Sequence, residues 1–212
     1  MARTNKDFNN KRNELLETVW DIFIGNGYEN TTLAFIIKTL NISKGAFYHY
    51  FSSKEECADA AIEMQVELWI NEIEKQDIKE LKADARLKKT ILNGIQVVNS
   101  NREQNEKIDS PANAVFHQKL MVSITKQFAP IYAEIISQGV EEGIFHVTYP
   151  LETAEIILTL SNFYLDRDLF KWNIETMTSK VCAFEEILTC SLGAEKNMFS
   201  FINNLFELEE KQ

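Results

Sequence analysis

A short segment near the N-terminus carries basic and aromatic side chains of the kind that bind DNA. Lys54 can neutralise a phosphate, and Tyr48, His49 and Tyr50 can donate hydrogen bonds to phosphate oxygens. Tyr48 can also reach a base edge, and Lys44 can donate hydrogen bonds to a guanine. Contacts of these two kinds fix a protein on the DNA backbone and read its sequence, so the segment indicates binding to double-stranded DNA.

These side chains act together only if the fold holds them on one surface, and the surrounding residues predict how it does so. Thr32 can cap a first short helix through its hydroxyl group. Apolar residues then recur at helical spacing, at Leu33, Ile36, Ile37 and Leu40. Asn41 follows, and Asn tolerates the positive φ that a sharp turn between helices needs. The pattern predicts a helix that ends in a tight turn.

A second short helix is predicted after this turn. Ser43 can cap it, and Phe47 and Phe51 lie four residues apart on its buried side. The residues that then face outward are Lys44, Gly45, Tyr48 and His49. Glycine is costly within a helix, but it suits a helix start that approaches another backbone closely. Two helices in this order form a helix-turn-helix, which places its second helix in the major groove. The alternative is a helical hairpin inside an all-α core.

Over about residues 11 to 60 the chain resembles the TetR-type transcriptional repressors. The resemblance rests on Gly27-Tyr28, Thr31-Thr32, Ile36, Ser43-Lys44-Gly45, Phe47-Tyr48, Tyr50-Phe51 and Ser53-Lys54-Glu55. The family usually has an acidic residue where Phe35 stands, Ala where Ile37 and Leu40 stand, and Gly where Asn41 stands. From the motif and the resemblance together we expect DNA contacts from Thr31, Thr32, Ser43, Lys44, Gly45, Ala46, Tyr48, His49, Tyr50 and Lys54.

Length and composition are those of a globular protein. The chain has 212 residues, 45% of them apolar, which suits one or two domains with a real core. No apolar run approaches the roughly 18 residues of a membrane span, and the first residues have no apolar core for secretion. Cys57, Cys182 and Cys190 show no paired metal-ligand spacing, so we expect free thiols in a cytoplasmic protein without metal or cofactor. A redox-sensing thiol is the alternative.

Charge is unevenly distributed along the chain. The formal net charge is −10, yet residues 1–54 hold seven basic and five acidic residues, whereas the remaining 158 residues hold 15 basic and 27 acidic residues. A mildly basic end beside a strongly acidic remainder would orient the protein on DNA and discourage binding by the wrong face. A well-solvated acidic surface that aids solubility explains the same distribution.

The predicted fold class is all-α, because only three prolines and seven glycines occur and no segment alternates as a strand. We expect an N-terminal three-helix DNA-binding module with a helix-turn-helix in residues 1–56. A C-terminal helical ligand-binding and dimerisation domain is expected in residues 57–212. Beyond the helix-turn-helix, helices are predicted over about residues 10–25, 53–75, 84–101, from 111, 122–142, 151–170, 174–192 and 195–208, with a loop over 100–109.

Fourteen phenylalanines are many for this length, and they suggest a pocket for an apolar or aromatic ligand. The candidate effector-binding residues are Trp69, Phe116, His117, Leu120, Met121, Phe128, Phe163 and Tyr164. Of these, His117 is the polar group best suited to orient a ligand. The alternative for each aromatic residue is ordinary core packing, and for His117 a half-exposed position or a hydrogen bond to a core carbonyl.

The resemblance implies a homodimer, built from the helices over 151–170 and 174–192, that binds a palindromic operator and is released by a small hydrophobic effector. No enzyme is expected, since Gly-x-Ser-x-Gly, a phosphate-cradling Gly loop and His-Glu-x-x-His are all missing. The alternative function is an all-helical small-molecule binding protein or enzyme with a degenerate DNA-binding module. Specific, salt-sensitive binding to the DNA upstream of its own gene would distinguish the two.

Overall fold

The computed structural model describes residues 2–76, 79–99 and 102–203. Within these ranges the chain forms ten α-helices and no strand, as the all-α prediction requires. The α-helices are α1 (Ala2–Asn26), α2 (Leu33–Thr39), α3 (Lys44–Tyr50), α4 (Lys54–Glu74), α5 (Ala83–Asn99), α6 (Arg102–Ile108), α7 (Ala114–Glu141), α8 (Pro150–Thr159), α9 (Arg167–Phe170) and α10 (Ile174–Leu192). A 3₁₀ turn at Pro111–Asn113 precedes α7, and a π-helical segment at Leu160–Tyr164 follows α8.

The described residues form two compact units. The first unit lies within Met1–Asn71 and Val98–Ser123, and the second within Glu72–Val97 and Ile124–Gln212. Neither unit is continuous in sequence, and α4, α5 and α7 each contribute residues to both. The functional boundary after Glu56 stays a prediction. None of the described helices is both long and apolar enough to cross a membrane.

Several boundaries in the first two-thirds of the chain differ from the predicted ones. α1 begins at Ala2 rather than near Asn10. The stretch predicted as a loop before Pro111 contains the seven-residue helix α6. α7 is a single helix of 28 residues where two were predicted, because no glycine or proline near Met121 ends it.

The predicted helix over 151–170 is instead divided. α8 gives way to the π-helical segment, and Asp166 then caps α9 by accepting the N–H of Leu169 at 2.7 Å. Lys171, at φ 54°, ends α9. α10 has the predicted bounds. The predicted last helix is replaced by turns over 196–200, residues 201–203 are helical, and the part beyond Asn203 lies outside the described residues.

In the second unit, α8 packs against α10. The buried apolar side chains of the two helices are Ala154, Ile157, Leu158, Met177, Val181, Phe184, Leu188 and Leu192. Burying each large apolar side chain contributes about 1.5–3 kcal/mol relative to exposure. Ile156 and Ile187 lie on the outside of the same helices, 59% and 45% exposed.

A polar network joins α5 to α7 within the second unit. The buried guanidinium of Arg86 donates to Gln138 at 3.0 Å and to Glu134 at 2.9 Å. The carboxylate of Glu142 accepts the N–H of Ala83 at 2.9 Å, and this backbone hydrogen bond, with one from Gln138, holds the pKa of Glu142 below its ordinary value. The start of α5 is therefore fixed by side chains of α7 and by Glu142, which directly follows α7.

Candidate DNA-binding site

α2 and the turn after it have the geometry that the sequence predicts. Thr32 caps α2, and its hydroxyl oxygen accepts the N–H of Phe35 at 3.2 Å. Asn41 adopts a φ of 51°. The N–H of Ile42 returns to the carbonyl of Ile37 at 3.3 Å. Carbonyls at the end of α2 that the helix itself leaves unsatisfied are thereby bonded, and the turn is closed.

α3 presents a polar face to solvent. Ser43 caps the helix by accepting the N–H of Ala46 at 3.0 Å. Phe47 and Phe51 are buried and hold the opposite side in the core. The exposed residues of α3 include Lys44, Gly45, Tyr48 and His49, the four predicted to face outward. The chain thus holds hydrogen-bond donors on one exposed surface of a capped helix.

Gly45 lies in the first turn of α3 with open space beside its Cα. A Cβ atom built there would meet only the Ser43 hydroxyl oxygen within 4 Å, at 3.9 Å. Packing inside the unit therefore does not require glycine, although glycine costs a helix about 1 kcal/mol relative to alanine. The open space beside Gly45 leaves room for a close approach by another molecule.

Two of the expected DNA contacts already bond inside the first unit. Thr31 is buried, and its hydroxyl donates to the Gly27 carbonyl at 2.7 Å. The Nζ atom of Lys54 donates to the Tyr28 carbonyl at 2.7 Å and lies 4.1 Å from the centroid of the Tyr28 ring. Both side chains stabilise the connection between α1 and α2, so each has a structural role before any contact with DNA.

A reciprocal cap fixes the start of α4. Ser53 accepts the N–H of Glu56 at 3.0 Å, and the Glu56 carboxylate accepts the N–H of Ser52 at 2.8 Å together with the Ser52 hydroxyl. The hydroxyl bond first, and the backbone bond second, hold the pKa of Glu56 below its ordinary value. This arrangement resembles a capping box, but its acidic residue reaches Ser52 instead of Ser53.

Sequence reasoning missed two α1 residues that support α3. The rings of Phe8 and Tyr50 are stacked with centroids 4.9 Å apart, and Phe8 meets His49 edge-on at 5.3 Å. The Arg12 guanidinium lies 5.4 Å from the centroid of the Phe51 ring. Aromatic pairs of this kind add about 0.5–1.5 kcal/mol beyond area burial. The polar residues around Phe8 gave no apolar period, so the sequence carried no signal for these contacts.

The 3₁₀ turn before α7 supports the connection between α1 and α2, which the sequence did not predict. The side-chain oxygen of Asn113 accepts the N–H of Tyr28 at 2.7 Å, and the side-chain nitrogen donates to the Lys107 carbonyl at 3.0 Å. Beside it, the N–H of Glu29 donates to the Ala112 carbonyl at 3.1 Å. These pairs join residues far apart in sequence, so no local pattern reveals them.

Gly27 and Phe116 complete this contact. Gly27 has a φ of 82°, and a Cβ atom there would lie 2.6 Å from the Cβ atom of Ala112. Phe116 is fully buried, with its ring centroid 5.4–6.3 Å from those of Trp20, Phe23 and Tyr28. This expected effector-binding residue therefore lies in the core of the unit that carries the helix-turn-helix.

The expected effector-binding residues are divided between the two units. The first unit contains Trp69, Phe116, His117, Leu120 and Met121, and the second contains Phe128, Phe163 and Tyr164. Nε2 of His117 lies 3.7 Å from a carboxylate oxygen of Asp109. Leu120 and Phe128 are buried, whereas Phe163 is 53% exposed.

Among the expected effector-binding residues, Trp69 has a buried indole N–H without a hydrogen-bond partner among the described residues. It meets Trp20 edge-on, with centroids 6.2 Å apart. Both indole N–H groups are buried and have no hydrogen-bond partner among the described residues. A buried donor without an acceptor costs about 1–3 kcal/mol. A ligand whose acceptor atom bonds either of these two donors would therefore gain more binding free energy than one that competes for an N–H already bonded.

The geometry defines a class of protein: a DNA-binding regulator that joins a helix-turn-helix unit to a second helical unit. The family model for bacterial regulatory proteins of the tetR family matches residues 15–61. The model for the tetracyclin repressor-like C-terminal domain matches residues 96–187. The chain belongs to the TetR family of transcriptional regulators.

Two curated relatives agree with this assignment, and one solved structure agrees with the fold. The HTH-type transcriptional repressor KstR2 of Mycobacterium tuberculosis is 27% identical over 150 residues, which are 68% of this chain and 74% of KstR2. The HTH-type transcriptional regulator QacR of Staphylococcus aureus is 31% identical over 70 residues, 33% of this chain and 37% of QacR. A tetR-family regulator from Shewanella sp. PV-4 has a similar fold, with a TM-score of 0.56 and 16% identity over 82% of this chain and 95% of that one.

Proposed function

We propose that this TetR-family regulator is a ligand-responsive repressor that binds palindromic operator DNA and is released by a small hydrophobic effector. The observation that carries the proposal is α3, which is capped at Ser43, buried on one side at Phe47, and exposed on the other with Lys44 and Tyr48. Both helix caps and the Asn41 turn are intact, which favours a regulator over a binding protein or enzyme with a degenerate module.

The proposed DNA contacts are of two kinds: some read the base sequence, and others position the protein on the phosphate backbone. Lys44, in the first turn of α3, reads a guanine, while Tyr48 and Lys54 bind phosphates. The hydroxyls of Thr32 and Ser43 each accept one backbone N–H and keep a proton that can be donated to a phosphate. The remaining proposed contacts are Thr31, Gly45, Ala46, His49 and Tyr50.

For the effector, the contacts that we propose are the residues named from the sequence: Trp69, Phe116, His117, Leu120, Met121, Phe128, Phe163 and Tyr164. Apolar and aromatic side chains dominate this set, which suits a hydrophobic molecule oriented by few polar groups. The unpartnered indole N–H of Trp69 supports a ligand with a hydrogen-bond acceptor. To release DNA, the effector must bind the DNA-incompetent state more tightly, typically by about 1–3 kcal/mol.

A homodimer matches a palindromic operator, because two-fold symmetry in the protein meets two-fold symmetry in the DNA. We propose that the outer faces of α8 and α10 form the dimer interface, and the exposed Ile156 and Ile187 support this choice. The protein then acts in the cytoplasm, where its operator is accessible, and its helical units bind ligands without catalysing a reaction.

The test is binding of the full-length protein to labelled DNA from upstream of its own gene, followed by fluorescence anisotropy between about 50 and 200 mM salt. The expected result is a complex that survives excess competitor DNA, weakens steeply with salt and saturates at one operator of two half-sites per dimer. The proposal is refuted if the protein binds neither that DNA nor any sequence selected from random DNA specifically. A Lys44→Ala variant serves as the reading-helix control.

A further inference from the structure

An aromatic cluster in the second unit holds an ammonium group. The rings of Phe170 and Trp172 are stacked, with centroids 5.0 Å apart and planes 4° from parallel. Tyr164 lies beside them, with its centroid 6.4 Å and 6.3 Å from theirs. The Nζ atom of Lys180 lies 3.5 Å from the Trp172 centroid and 5.3 Å from the Tyr164 centroid. Both distances are within the roughly 6 Å at which a cation is attracted to an aromatic face.

The rings are held in place by bonds that do not involve Lys180. The indole N–H of Trp172 donates to the Tyr164 carbonyl at 3.1 Å. Lys171 adopts a left-handed φ of 54°, which is uncommon for a residue other than glycine and turns the chain sharply between the two stacked rings. Asn173 caps α10 directly after Trp172, accepting the N–H of Thr176 at 2.9 Å. The cluster is therefore preorganised without its lysine.

We propose that Tyr164, Phe170 and Trp172 form a binding site for a small organic ammonium ion, and that Lys180 occupies this site when no ligand is bound. The lysine shows which chemical class the rings accept: a compact cation that gains from aromatic faces. The site shares Tyr164 with the proposed effector contacts, but its test measures ligand binding directly and does not depend on the protein's being a repressor.

Access and charge both suit such a ligand. Phe170 is 37% exposed, and Lys180 is partly exposed on a flexible stem, so its ammonium can leave without a backbone movement. The net charge of −10 attracts cations to the protein. A neutral molecule of the same shape would displace Lys180 without replacing its cation–π interaction, so the site should discriminate by charge.

The experiment uses choline and its neutral isostere 3,3-dimethylbutan-1-ol as probes of the full-length protein. Binding is followed through the ¹⁵N-indole resonance of Trp172, assigned by its absence in Trp172→Phe. Choline should shift this resonance and the alcohol should not. Lys180→Ala removes the internal competitor, so choline should bind this variant about tenfold more tightly than the wild type. Trp172→Leu lacks the indole probe, so variants at this position are followed instead through saturation transfer from the protein to the choline methyl protons. Adding Trp172→Leu to Lys180→Ala should abolish this transfer.

Two results would overturn the proposal. If Lys180→Ala melts at a lower temperature and gains no affinity for choline, Lys180 is a structural clamp and the rings are not a ligand site. If the alcohol shifts the indole resonance as choline does, the cluster is an apolar surface without selectivity for charge. Trp172→Phe in the Lys180→Ala background keeps an aromatic ring and guards against a folding defect, since saturation transfer to the choline methyl protons should show intermediate affinity.

Discussion

The side-chain oxygen of Asn113 accepts the backbone N–H of Tyr28 at 2.7 Å, across 85 residues of sequence. The other end of the same amide donates to the Lys107 carbonyl, so a fully buried side chain uses both of its polar groups. Tyr28 is held again through its carbonyl, which accepts from Lys54 at the start of α4. The connection that leads into the helix-turn-helix is thus fixed from two sides.

Asn113→Ala should therefore destabilise the first unit. The variant leaves the N–H of Tyr28 and the carbonyl of Lys107 without their partner, which costs about 1–3 kcal/mol. Operator affinity should fall while base preference stays the same, because no base contact changes. Ser110→Ala is the matched control, since the Ser110 side chain makes no capping bond in the same turn. Equal stability of the two variants in urea unfolding would show that the Asn113 hydrogen bonds do not contribute to the stability of the protein.

Gly45→Ala should stabilise the protein and weaken its binding to DNA. Alanine is preferred in a helix by about 0.5–1 kcal/mol, and the added methyl meets open space inside the protein. The same methyl would intrude where DNA approaches α3. Gly25→Ala is the control, because Gly25 lies in α1 and has nothing within 4 Å of an added Cβ. Both variants should melt at higher temperature, and only Gly45→Ala should lose operator affinity. Full affinity in Gly45→Ala would exclude a close approach at this position.

Lys54→Ala should affect both stability and DNA binding. Its loss removes the donor to the Tyr28 carbonyl, which should lower the free energy of unfolding by about 0.5–1.5 kcal/mol. It also removes one phosphate contact, so affinity for all sequences should fall about equally and the salt slope should decrease by about one. Lys44→Ala is the contrast: this exposed side chain should leave stability unchanged and relax preference at one base pair by about 1–3 kcal/mol. A loss confined to one base pair in Lys54→Ala would contradict its assignment to phosphate.

Local signals were enough to predict the helix-turn-helix. The caps at Thr32 and Ser43, the positive φ of Asn41 and the burial of Phe47 each depend on residues within a few positions of one another. Physical rules for caps, turns and helical period act over that range, so a single sequence is sufficient.

Contacts between distant segments could not be predicted in this way. The Asn113–Tyr28 bond and the packing of Phe116 in the first unit join the middle of the chain to its beginning. Phe116 is apolar, as both ligand-pocket and core residues are, so only the fold can distinguish these two roles. The division of the predicted helix at Leu160–Tyr164 likewise has no Gly or Pro to announce it.

Cys57 should resist thiol reagents in the native protein. Burial raises the pKa of its thiol to about 12, although the charge of Arg12 acts in the opposite direction. A raised thiol pKa means that the reactive thiolate is scarce at every pH below that value, so mildly alkaline buffer does not activate Cys57. In a variant with Cys182→Ser and Cys190→Ser, mass spectrometry should find no modification until denaturant is added. Rapid modification of the folded variant would show that the first unit opens near Cys57.

Ile156→Glu should convert the protein to monomers that stay folded. Ile156 lies on the outer face of α8, so a carboxylate there is solvated in the monomer but desolvated in a dimer interface formed by α8 and α10. Leu158, two residues away, faces the core and is 6% exposed, so Leu158→Glu should unfold the second unit and say nothing about association. Glu155→Gln changes an exposed neighbour and should leave both the fold and the dimer intact. Sedimentation at micromolar concentration with circular dichroism separates these outcomes, and Ile156→Glu should also lose operator binding because two half-sites need two subunits. A wild-type protein that sediments as a monomer, or an Ile156→Glu dimer of normal stability, would rule out this face as the interface.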